Sequence, residues 1–317
     1  MSQNPTVAIL LATYNGEQFL EQQLDSIVSQ TYQNFKIYIS DDCSSDATVR
    51  ILQEYQQKFS DKIFYGINKK NIGYVKNFEK LLQGVKEKYI ALSDQDDIWQ
   101  SDKLEIQMSE ILEIEDNPQQ RAVLIHSDLS MIDDHGNIIE NSYFAYRKYK
   151  LKNKKDFGHI LGPCGVMGNT VIMNENLKKL VLPFPDKLDT HDYWIAISAE
   201  LFGVRKTLPQ QLVKYRIHKS NASNSCVSLR KNKIMLSRNI KLPNINTNRK
   251  FFLPQLLKNI NNKNDAEILK AYIKYLNFDG NKIILYSQLL KYSLVKRDVR
   301  FRIKLFFKIL FTDKYDV

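Results

Sequence analysis

The feature that most constrains the fold of this chain is the alternation of short apolar runs with helical segments over its first hundred residues. Continuous apolar runs occupy Val7–Leu11, Phe35–Ile39 and Tyr89–Ser93, with a shorter one at Lys62–Gly66. Uninterrupted runs of this kind are typical of strands buried on both faces of a parallel sheet. The repeated order of strand and helix therefore predicts an α/β fold with a Rossmann-like, mostly parallel sheet flanked by helices.

The helical segments are indicated by apolar residues that recur every three or four positions. They lie at Phe19–Val28, Val49–Tyr55, Val75–Val85 and Leu104–Leu112. A further strand is expected at Ala122–His126, followed by a mixed segment that reaches about Ser225. From residue 226 onward the pattern indicates helices without a strong repeat.

The charge of the chain is concentrated at one end. The 317 residues carry a net charge of +11, yet residues 226–317 alone hold 20 Lys and Arg against 6 Asp and Glu. This asymmetry indicates an anionic surface near the C-terminal part, either membrane lipid or nucleic acid. No window reaches the roughly 18–20 apolar residues of a membrane span, and no signal peptide is recognisable, so we expect a cytoplasmic location.

Acidic residues follow two of the predicted strands. Asp41 and Asp42 end the second strand, and Asp94-Gln95-Asp96-Asp97 follows the strand at Tyr89–Ser93. Ligands of such sheets bind beyond the carboxyl ends of the strands, where these carboxylates would meet. Oxygen ligands favour Mg²⁺ or Mn²⁺, which would neutralise a departing diphosphate. The competing interpretation is a solvated acidic turn that caps the next helix.

Several phosphate-binding and nucleophile motifs are absent from the sequence. It contains no GxGxxG after the first strand, no GxxxxGK[ST] and no GxSxG. Their absence argues against a dinucleotide oxidoreductase, a P-loop NTPase and an α/β-hydrolase.

Two further segments combine groups that suit sugar and phosphate chemistry. Asp192 stands beside His191, Tyr193 and Trp194, which pairs a candidate general base with aromatic rings. Tyr215–His218 adds a guanidinium and an imidazole. Taken alone, the first segment is equally typical of the capped N-terminus of a helix. The second is more typical of an arginine and a histidine on the surface that bind each other or nearby groups.

Five separated stretches together resemble a known family. They are ATYNGEQFLEQQLDSIVSQTYQNFKIYISDDCSSDAT, NIGYVKNF, YIALSDQDDIWQSDKL, HDYW and YRIHKSNAS, in that order over roughly residues 5–225. In this the chain resembles the inverting glycosyltransferases of family 2, which have the GT-A fold. The SDQDDIW form is similar to the bacterial branch that builds surface polysaccharides, including rhamnosyltransferases.

The resemblance implies a domain plan and a reaction. Residues 1–225 would form the catalytic domain, with a nucleotide-sugar half at about 1–100 and an acceptor half at about 101–225, followed by a basic helical region at 226–317. The enzyme would move a sugar from dTDP-rhamnose or a UDP-hexose to a glycan hydroxyl, the acceptor being lipid-linked. A nucleotidyltransferase that makes sugar nucleotides and a non-catalytic protein that binds nucleic acid or an anionic surface are the alternatives. Neither is favoured, because ATYNGEQF offers no basic phosphate loop and the catalytic part is acidic. We therefore expect no nucleic-acid partner.

The resemblance also implies roles for individual residues. Asp192 would be the catalytic base, and Asp42 would accept a hydrogen bond from a pyrimidine N3–H. Asp96 would bind the metal ion together with Asp94 and His218. The donor would contact Ala12, Tyr14, Asn15, Asp42, Asn71, Lys76, Asp94 and Gln95, and the acceptor would meet Trp99, His191, Tyr193, Trp194 and Arg216. The chain departs from the family pattern at Cys43, which replaces a glycine, and at His191, which replaces a glutamate.

Two basic segments suggest contact with lipid. Arg147–Lys155 holds six cations in nine residues and is expected to be a loop. Near the end of the chain, Val295, Val299, Ile303, Phe306 and Leu310 form an apolar stripe, with Arg297, Arg300, Lys304 and Lys308 away from it. Such a helix suits a peripheral position on the inner face of the plasma membrane, and it equally suits packing against the catalytic domain.

Overall fold

A nine-stranded mixed sheet organises the chain. In the computed structural model, the residues described are 4–116, 121–218, 227–230, 233–236, 248–295 and 298–311. The strands of the sheet are β1 (Val7–Thr13), β2 (Phe35–Asp41), β3 (Ile63–Ile67), β4 (Tyr89–Ser93), β5 (Ile98–Trp99), β6 (Val123–Ile132), β7 (Ile138–Glu140), β8 (Val171–Asn174) and β9 (Val204–Arg216). A separate hairpin is formed by β10 (Val227–Arg230) and β11 (Lys233–Leu236).

Helices cover both faces of this sheet. Those of the first 218 residues are α1 (Leu20–Val28), α2 (Thr48–Lys58), α3 (Tyr74–Gly84), α4 (Lys103–Glu115), α5 (Tyr143–Arg147), α6 (Phe157–Leu161), α7 (Glu175–Val181) and α8 (His191–Phe202). The C-terminal part contributes α9 (Arg249–Phe252), α10 (Lys263–Leu276), α11 (Lys282–Lys291) and α12 (Val299–Phe311). Among the described residues, none of these helices has the length and apolar character needed to cross a bilayer.

The strand order brings several strand ends to one edge. The sheet runs β3-β2-β1-β4-β8-β6-β9-β5, with β7 paired to β6. Strands β1 to β4 are parallel, β8 is antiparallel to both β4 and β6, and β9 is parallel to β6. The carboxyl ends of β1, β2, β4, β6 and β9 therefore point the same way, and β5, which follows the loop after β4, pairs with the last part of β9.

Each face of the sheet has its own apolar core. One core joins α1, α2 and α4 to the sheet and contains Leu24, Leu52 and Ile111. The other joins α3, α6, α7 and α8, and it also takes in residues of the C-terminal helices, including Phe252 and Ile309. The C-terminal region therefore shares a core with the rest of the chain.

Two glycines of α6 bring backbone directly against the C-terminal region. A side chain at Gly158 would overlap the carbonyl oxygen of Tyr292, and one at Gly162 would overlap the carbonyl oxygen of Leu294. Only glycine allows this approach, because any Cβ would enter the space of a main-chain oxygen.

The predicted α/β sheet is confirmed, with three differences of detail. The strand expected at Ala122–His126 extends to Ile132, because its polar residues are also buried between neighbouring strands. The mixed segment contains the long strand β9, whose polar residues hide the strand pattern. The region expected to be helical from residue 226 also contains the β10–β11 hairpin.

The basic loop predicted at Arg147–Lys155 begins at the end of α5 and turns back toward the C-terminal helices. Lys148 pairs with Asp298 at 2.6 Å, and Lys155 pairs with Asp265 at 2.5 Å. Two cations of the loop therefore bind partners within the protein.

Candidate functional site

The loop after β1 is fastened to the loop after β4. The backbone N–H of Tyr14 donates to Oε1 of Gln95 at 2.8 Å, and Nε2 of Gln95 donates to the carbonyl of Tyr14 at 3.0 Å. Gly16 leaves room for this pair, since a side chain there would overlap the Gln95 amide in its present position. Ala12 lies half-buried at the end of β1, whereas the side chain of Tyr14 is 48% exposed. Tyr14 thus offers a ring at the rim of the sheet.

Asn15 fixes the turn that connects the ends of β1 and β2. Its backbone N–H donates to Oγ of Ser44 at 2.9 Å, and its side-chain oxygen accepts from the N–H of Ser45 at 2.8 Å. Asp41 is fully buried and accepts hydrogen bonds from Thr13 and Ser44. Both side chains hold the loops in place, and of the two only Asn15, which is exposed, remains accessible to a donor.

Asp42 lies beside the start of α3 with 3% of its surface exposed. Its Oδ1 accepts from Nδ2 of Asn68 and from the N–H of Ile72, and its Oδ2 accepts from the N–H of Gly73 at 2.8 Å. A carboxylate oxygen accepts two hydrogen bonds, so Oδ2 retains capacity for one more donor. Asn71 is exposed and accepts from the Gly73 N–H, while Lys76 is exposed and pairs with Glu79 at 2.7 Å.

Three carboxylates converge beyond β4. Burial, followed by the charges of Asp96 and Asp192, raises the pKa of Asp94 to about 7. Asp94 and Asp96 follow β4, whereas Asp192 belongs to the first turn of α8. The fold therefore gathers negative charges from distant parts of the chain around Asp94, and a cation would relieve this repulsion.

Asp96 is in direct contact with His218. Nε2 of His218 lies 2.7 Å from Oδ2 of Asp96, and both side chains are largely buried. The ring of Phe19 lies 4.9 Å from the His218 ring and covers it. The contact follows from the pairing of β5 with the last part of β9, which brings the loop after β4 beside the residues that follow β9.

Arg216 holds this arrangement from behind. It is 1% exposed, and its guanidinium donates to the carbonyl of Asp96 at 2.9 Å and to Oε1 of Gln22 at 2.7 Å. Its backbone N–H donates to Asp97 at 3.1 Å, and Asp97 also accepts from Asn169. Arg216 was expected on the acceptor side, but its buried guanidinium is used to position the Asp96 loop.

The donor set at the sheet edge fits a divalent ion that is shared with a substrate. Asp96 and His218 offer one carboxylate oxygen and one ring nitrogen, a pair that suits Mn²⁺ and leaves positions for diphosphate oxygens and water. Within the part of the chain that the structure describes, no group of three or more metal-ligating side chains is preassembled. An ion held by Asp96 and His218 would complete its coordination with oxygens of a diphosphate or of water.

Asp192 occupies a pocket that favours proton uptake. Burial raises the pKa of its carboxyl group, opposed by hydrogen bonds from the N–H groups of Tyr193 and Gly168 and by the charge of Arg249. Gly168 allows this packing, because a Cβ there would lie 3.1 Å from Nε2 of His191 and 3.6 Å from Cβ of Asp192. A half-buried carboxylate of raised pKa at a ligand-binding edge suits a general base.

The aromatic residues predicted to meet an acceptor are buried. Trp99 is 3% exposed and lies under Nζ of Lys103 at 3.9 Å. The hydroxyl of Tyr193 donates to the carbonyl of Leu161, and the indole of Trp194 donates to the carbonyl of Val181. Their ring faces therefore pack in the core instead of forming a platform for sugar. His191 is also buried and stacks on Phe78 at 4.2 Å.

Two residues that the sequence analysis did not single out lie at the site. The hydroxyl of Tyr74 donates to the carbonyl of Asp189, and its pKa is raised to about 12 by burial and then by the charges of Asp192, Asp189 and Asp94. Tyr74 therefore lies near the carboxylates of Asp192 and Asp94, and 44% of its surface is exposed. Tyr74 belongs to the NIGYVKNF stretch, and the aromatic residue directly after a glycine is the sequence feature that could have identified it as a site residue. The second is Arg249, from the C-terminal region, which packs behind Asp192.

The sequence matches known glycosyltransferases. Residues 8–172 match the model of the family described as Glycosyl transferase family 2. An uncharacterized glycosyltransferase of Methanocaldococcus jannaschii is 30% identical over 73% of this chain and 76% of its own length. A UDP-Glc:alpha-D-GlcNAc-diphosphoundecaprenol beta-1,3-glucosyltransferase of Escherichia coli, WfgD, is 28% identical over 60% of this chain and 69% of its own length. Over a shorter stretch, the dTDP-rhamnosyl transferase RfbG of Shigella flexneri is 43% identical, covering 30% of this chain and 34% of its own length.

Solved structures share the fold. TarS 1–349 of S. aureus in complex with UDP-GlcNAc superposes with a TM-score of 0.59 at 15% identity, covering 96% of this chain and 81% of that one. The mannosyltransferase PcManGT of Pyrobaculum calidifontis in complex with GDP-Man and Mn²⁺ superposes with a TM-score of 0.55 at 15% identity, covering 92% and 74%. At such low identity the superpositions establish a common GT-A architecture.

Proposed function

This chain belongs to glycosyl transferase family 2, and from that premise we propose that it transfers a sugar from a nucleotide diphosphate to a glycan hydroxyl with inversion at the anomeric carbon. The observation that carries the proposal is the meeting of Asp94, Asp96 and Asp192 at the sheet edge, where Asp96 also contacts His218. Because the chain belongs to a glycosyltransferase family, we do not pursue the alternative that it is a nucleotidyltransferase.

The donor is a pyrimidine nucleotide, dTDP-rhamnose or a UDP-hexose. The free acceptor position on Oδ2 of Asp42 suits the N3–H of uracil or thymine, which both bases share. Tyr14 and Asp94 lie at the same rim and would border the base and the ribose. The local similarity to a dTDP-rhamnosyl transferase supports the first donor, and the likeness to WfgD supports the second.

Asp96 and His218 would hold Mg²⁺ or Mn²⁺ against the diphosphate. When bound, the ion neutralises the negative charge that develops on the leaving nucleotide. Arg216 keeps the backbone of Asp96 fixed, so an ion bound by both side chains would replace the hydrogen bond between Asp96 and His218 with little movement of the chain.

Asp192 would act as the base in a single displacement. Its carboxylate takes the proton of the acceptor hydroxyl while that oxygen attacks the anomeric carbon. The bond from that carbon to the diphosphate oxygen breaks on the opposite face, and its electron pair leaves with the nucleotide. Because burial raises the pKa of Asp192, the carboxylate is a stronger base than an exposed aspartate.

The acceptor is a lipid-linked glycan of a bacterial surface polysaccharide. WfgD, whose name gives a diphosphoundecaprenol acceptor, supports this assignment, as does the similarity of the SDQDDIW stretch to that branch of the family. The reaction would take place in the cytoplasm at the inner face of the plasma membrane.

Thermal-shift titration with a donor panel tests the proposal. UDP-sugars, dTDP-rhamnose and GDP-mannose are added with and without Mn²⁺. We expect one pyrimidine donor to raise the melting temperature only with the ion, and Asp96→Ala to abolish this rise. The exposed Asp61→Ala serves as the control for loss of a negative charge. Stabilisation by no donor, or equal stabilisation of Asp96→Ala, would contradict the proposal.

The role of Asp192 is tested by turnover. Asp192→Asn should lower kcat at least about 10²-fold, the contribution of a general base, and leave donor binding nearly unchanged. Loss of donor binding in this variant would indicate a structural role for Asp192 instead.

A further inference from the structure

Helix α12 carries a row of large apolar side chains on its outer face. Val299, Ile303, Phe307 and Phe311 are 67%, 53%, 52% and 80% exposed. Residues four apart lie on the same face of a helix, so these four form one continuous row. Single exposed apolar residues are ordinary on protein surfaces, but four on one helix face indicate a binding surface.

The helix packs on the protein through a different face. Leu305 and Ile309 are the fully buried residues of α12 and belong to the core shared with α8. Of the stripe predicted from the sequence, Val295 precedes the helix and is buried, Val299 and Ile303 are exposed, and Phe306 and Leu310 are half-buried. The predicted stripe is therefore divided: Val299 and Ile303 face outward, whereas Val295 is buried and Phe306 packs against Tyr286 of α11 at 5.0 Å.

Both ends of α12 are fastened, so its outer face has a defined position. Before the helix, Asp298 accepts from the N–H of Phe301 at 2.8 Å and pairs with Lys148 at 2.6 Å. At the other end, Nζ of Lys282 donates to the carbonyl of Leu310 at 3.0 Å. This last contact brings the start of α11 to the end of α12, where Ile283 and Ile284 add two more exposed apolar side chains.

Positive charge borders the apolar row. Arg300 and Lys304 are exposed and each follows a residue of the row by one position. They belong to residues 226–317, which contain 20 basic and 6 acidic residues. The outer face of α12 thus combines an apolar row with a basic flank, which suits the acyl chains and the anionic headgroups of a bilayer surface.

We propose that the outer face of α12, defined as Val299, Ile303, Phe307 and Phe311 with Arg300 and Lys304, docks the protein on an anionic membrane. The helix lies in the plane of the interface, because its 13 residues extend only about 20 Å, less than the roughly 30 Å of a hydrocarbon core. The docking requires no nucleotide sugar and stands independently of the function proposed above.

Vesicle flotation of the full-length protein tests the apolar part of this surface. Wild-type protein should float with vesicles of phosphatidylcholine and phosphatidylglycerol. The double variant Ile303→Ser, Phe307→Ser should lower the vesicle partition coefficient about tenfold or more. The matched control Ile67→Ser, Ile138→Ser removes two isoleucines that are 49% and 58% exposed elsewhere and should float like wild type. An unchanged melting temperature shows that each variant is folded.

The charge part is tested with the same vesicles. Arg300→Gln, Lys304→Gln should weaken binding to anionic vesicles, whereas Lys263→Gln, Lys270→Gln, which removes two exposed charges from α10, should not. Equal loss in both pairs would show that total charge, not this face, drives binding and would overturn the proposal. Flotation unchanged by Ile303→Ser, Phe307→Ser would also overturn it, as would a dimer in vesicle-free solution that this variant dissociates.

Discussion

His191 is a buried imidazole whose environment opposes protonation. It is 5% exposed, neither ring nitrogen has a hydrogen-bond partner among the residues that the structure describes, and burial lowers its pKa from 6.5 to about 3. Below pH 6.5 the unfolded chain takes up a proton that the folded chain cannot accept. Because the unfolded state then binds more protons, stability falls as the pH decreases from 6.5 toward 3.

We therefore expect His191→Gln to make the free energy of unfolding less sensitive to acid. The difference in slope from wild type should approach about 1.4 kcal/mol per pH unit below pH 6.5. Urea denaturation at several pH values between 7 and 5 measures it. The exposed His135→Gln should retain the wild-type slope, and equal slopes for wild type and His191→Gln would contradict the assignment.

The sequence predicted the acidic residues of the site better than its aromatic ones. Asp42, Asp94 and Asp96 could be expected at one edge because they follow predicted strands, whereas His218 was expected there only from the resemblance, since the strand before it was not recognised. Trp99, Tyr193 and Trp194 could not be assigned to a face, because an aromatic residue beside an acid is equally suited to a core and to a sugar platform. Arg216 was misleading for a related reason, since its neighbours along the chain do not show that its guanidinium is enclosed by backbone carbonyls.

Helix α9 supports the start of α8 at the point where the candidate base is located. The guanidinium of Arg249 lies 3.6 Å from the centre of the Tyr193 ring and donates to the carbonyl of Gly162 and the hydroxyl of Tyr272. Phe252 packs edge-on against Tyr193 and Trp194. A short helix of the C-terminal region therefore positions the turn that carries Asp192.

We expect Arg249→Met to reduce kcat and to shift the acidic limb of the pH–rate profile to higher pH. The direction follows because the positive charge of Arg249 lowers the pKa of Asp192, so its removal makes the carboxylate harder to ionise. Donor affinity, read by thermal shift, should stay unchanged. Lys250→Met, which removes a charge one residue further along, is the control. A fall in kcat without the shift in pH would show that Arg249 has only a structural role.

The elements differ in how far their sequence reveals them. Strands β1, β2 and β4 were predicted because both of their faces are buried, which leaves continuous apolar runs. Strand β9 was not predicted, because polar residues interrupt its apolar pattern. Hydrogen bonds accommodate these residues in the sheet, as at Arg205, Thr207 and Gln211. The packing face of α12 was not predicted either, since a helix with apolar residues around most of its circumference does not indicate which side meets the core.

At the scale of the whole molecule, the catalytic part and the C-terminal helices share one apolar core. Phe252, Leu269, Leu289 and Ile309 belong to the same cluster as Trp194 and Ile197. We propose that the two regions unfold together, although their charge and sequence patterns suggest separate units.

Differential scanning calorimetry measures this coupling. The full-length chain should show a single heat-absorption peak, and a chain ending at residue 247 should lose the cooperative transition, because the buried faces of Tyr193 and Trp194 would become exposed. Phe252→Ala should lower the temperature of the single peak without splitting it, at a cost of about 3–5 kcal/mol. Two resolved transitions in the full-length protein would contradict the proposal.

The glycines of α6 have a consequence for exchange between relatives. Because Gly158 and Gly162 meet main-chain oxygens at Tyr292 and Leu294, the fit depends on the path of the backbone and not on side chains that can be replaced in compensation. A chimera that takes its tail from another enzyme must therefore import residues 157–162 along with it. The two segments are therefore linked in structure although about 130 residues of chain lie between them, and an exchange of one segment without the other would lose this fit.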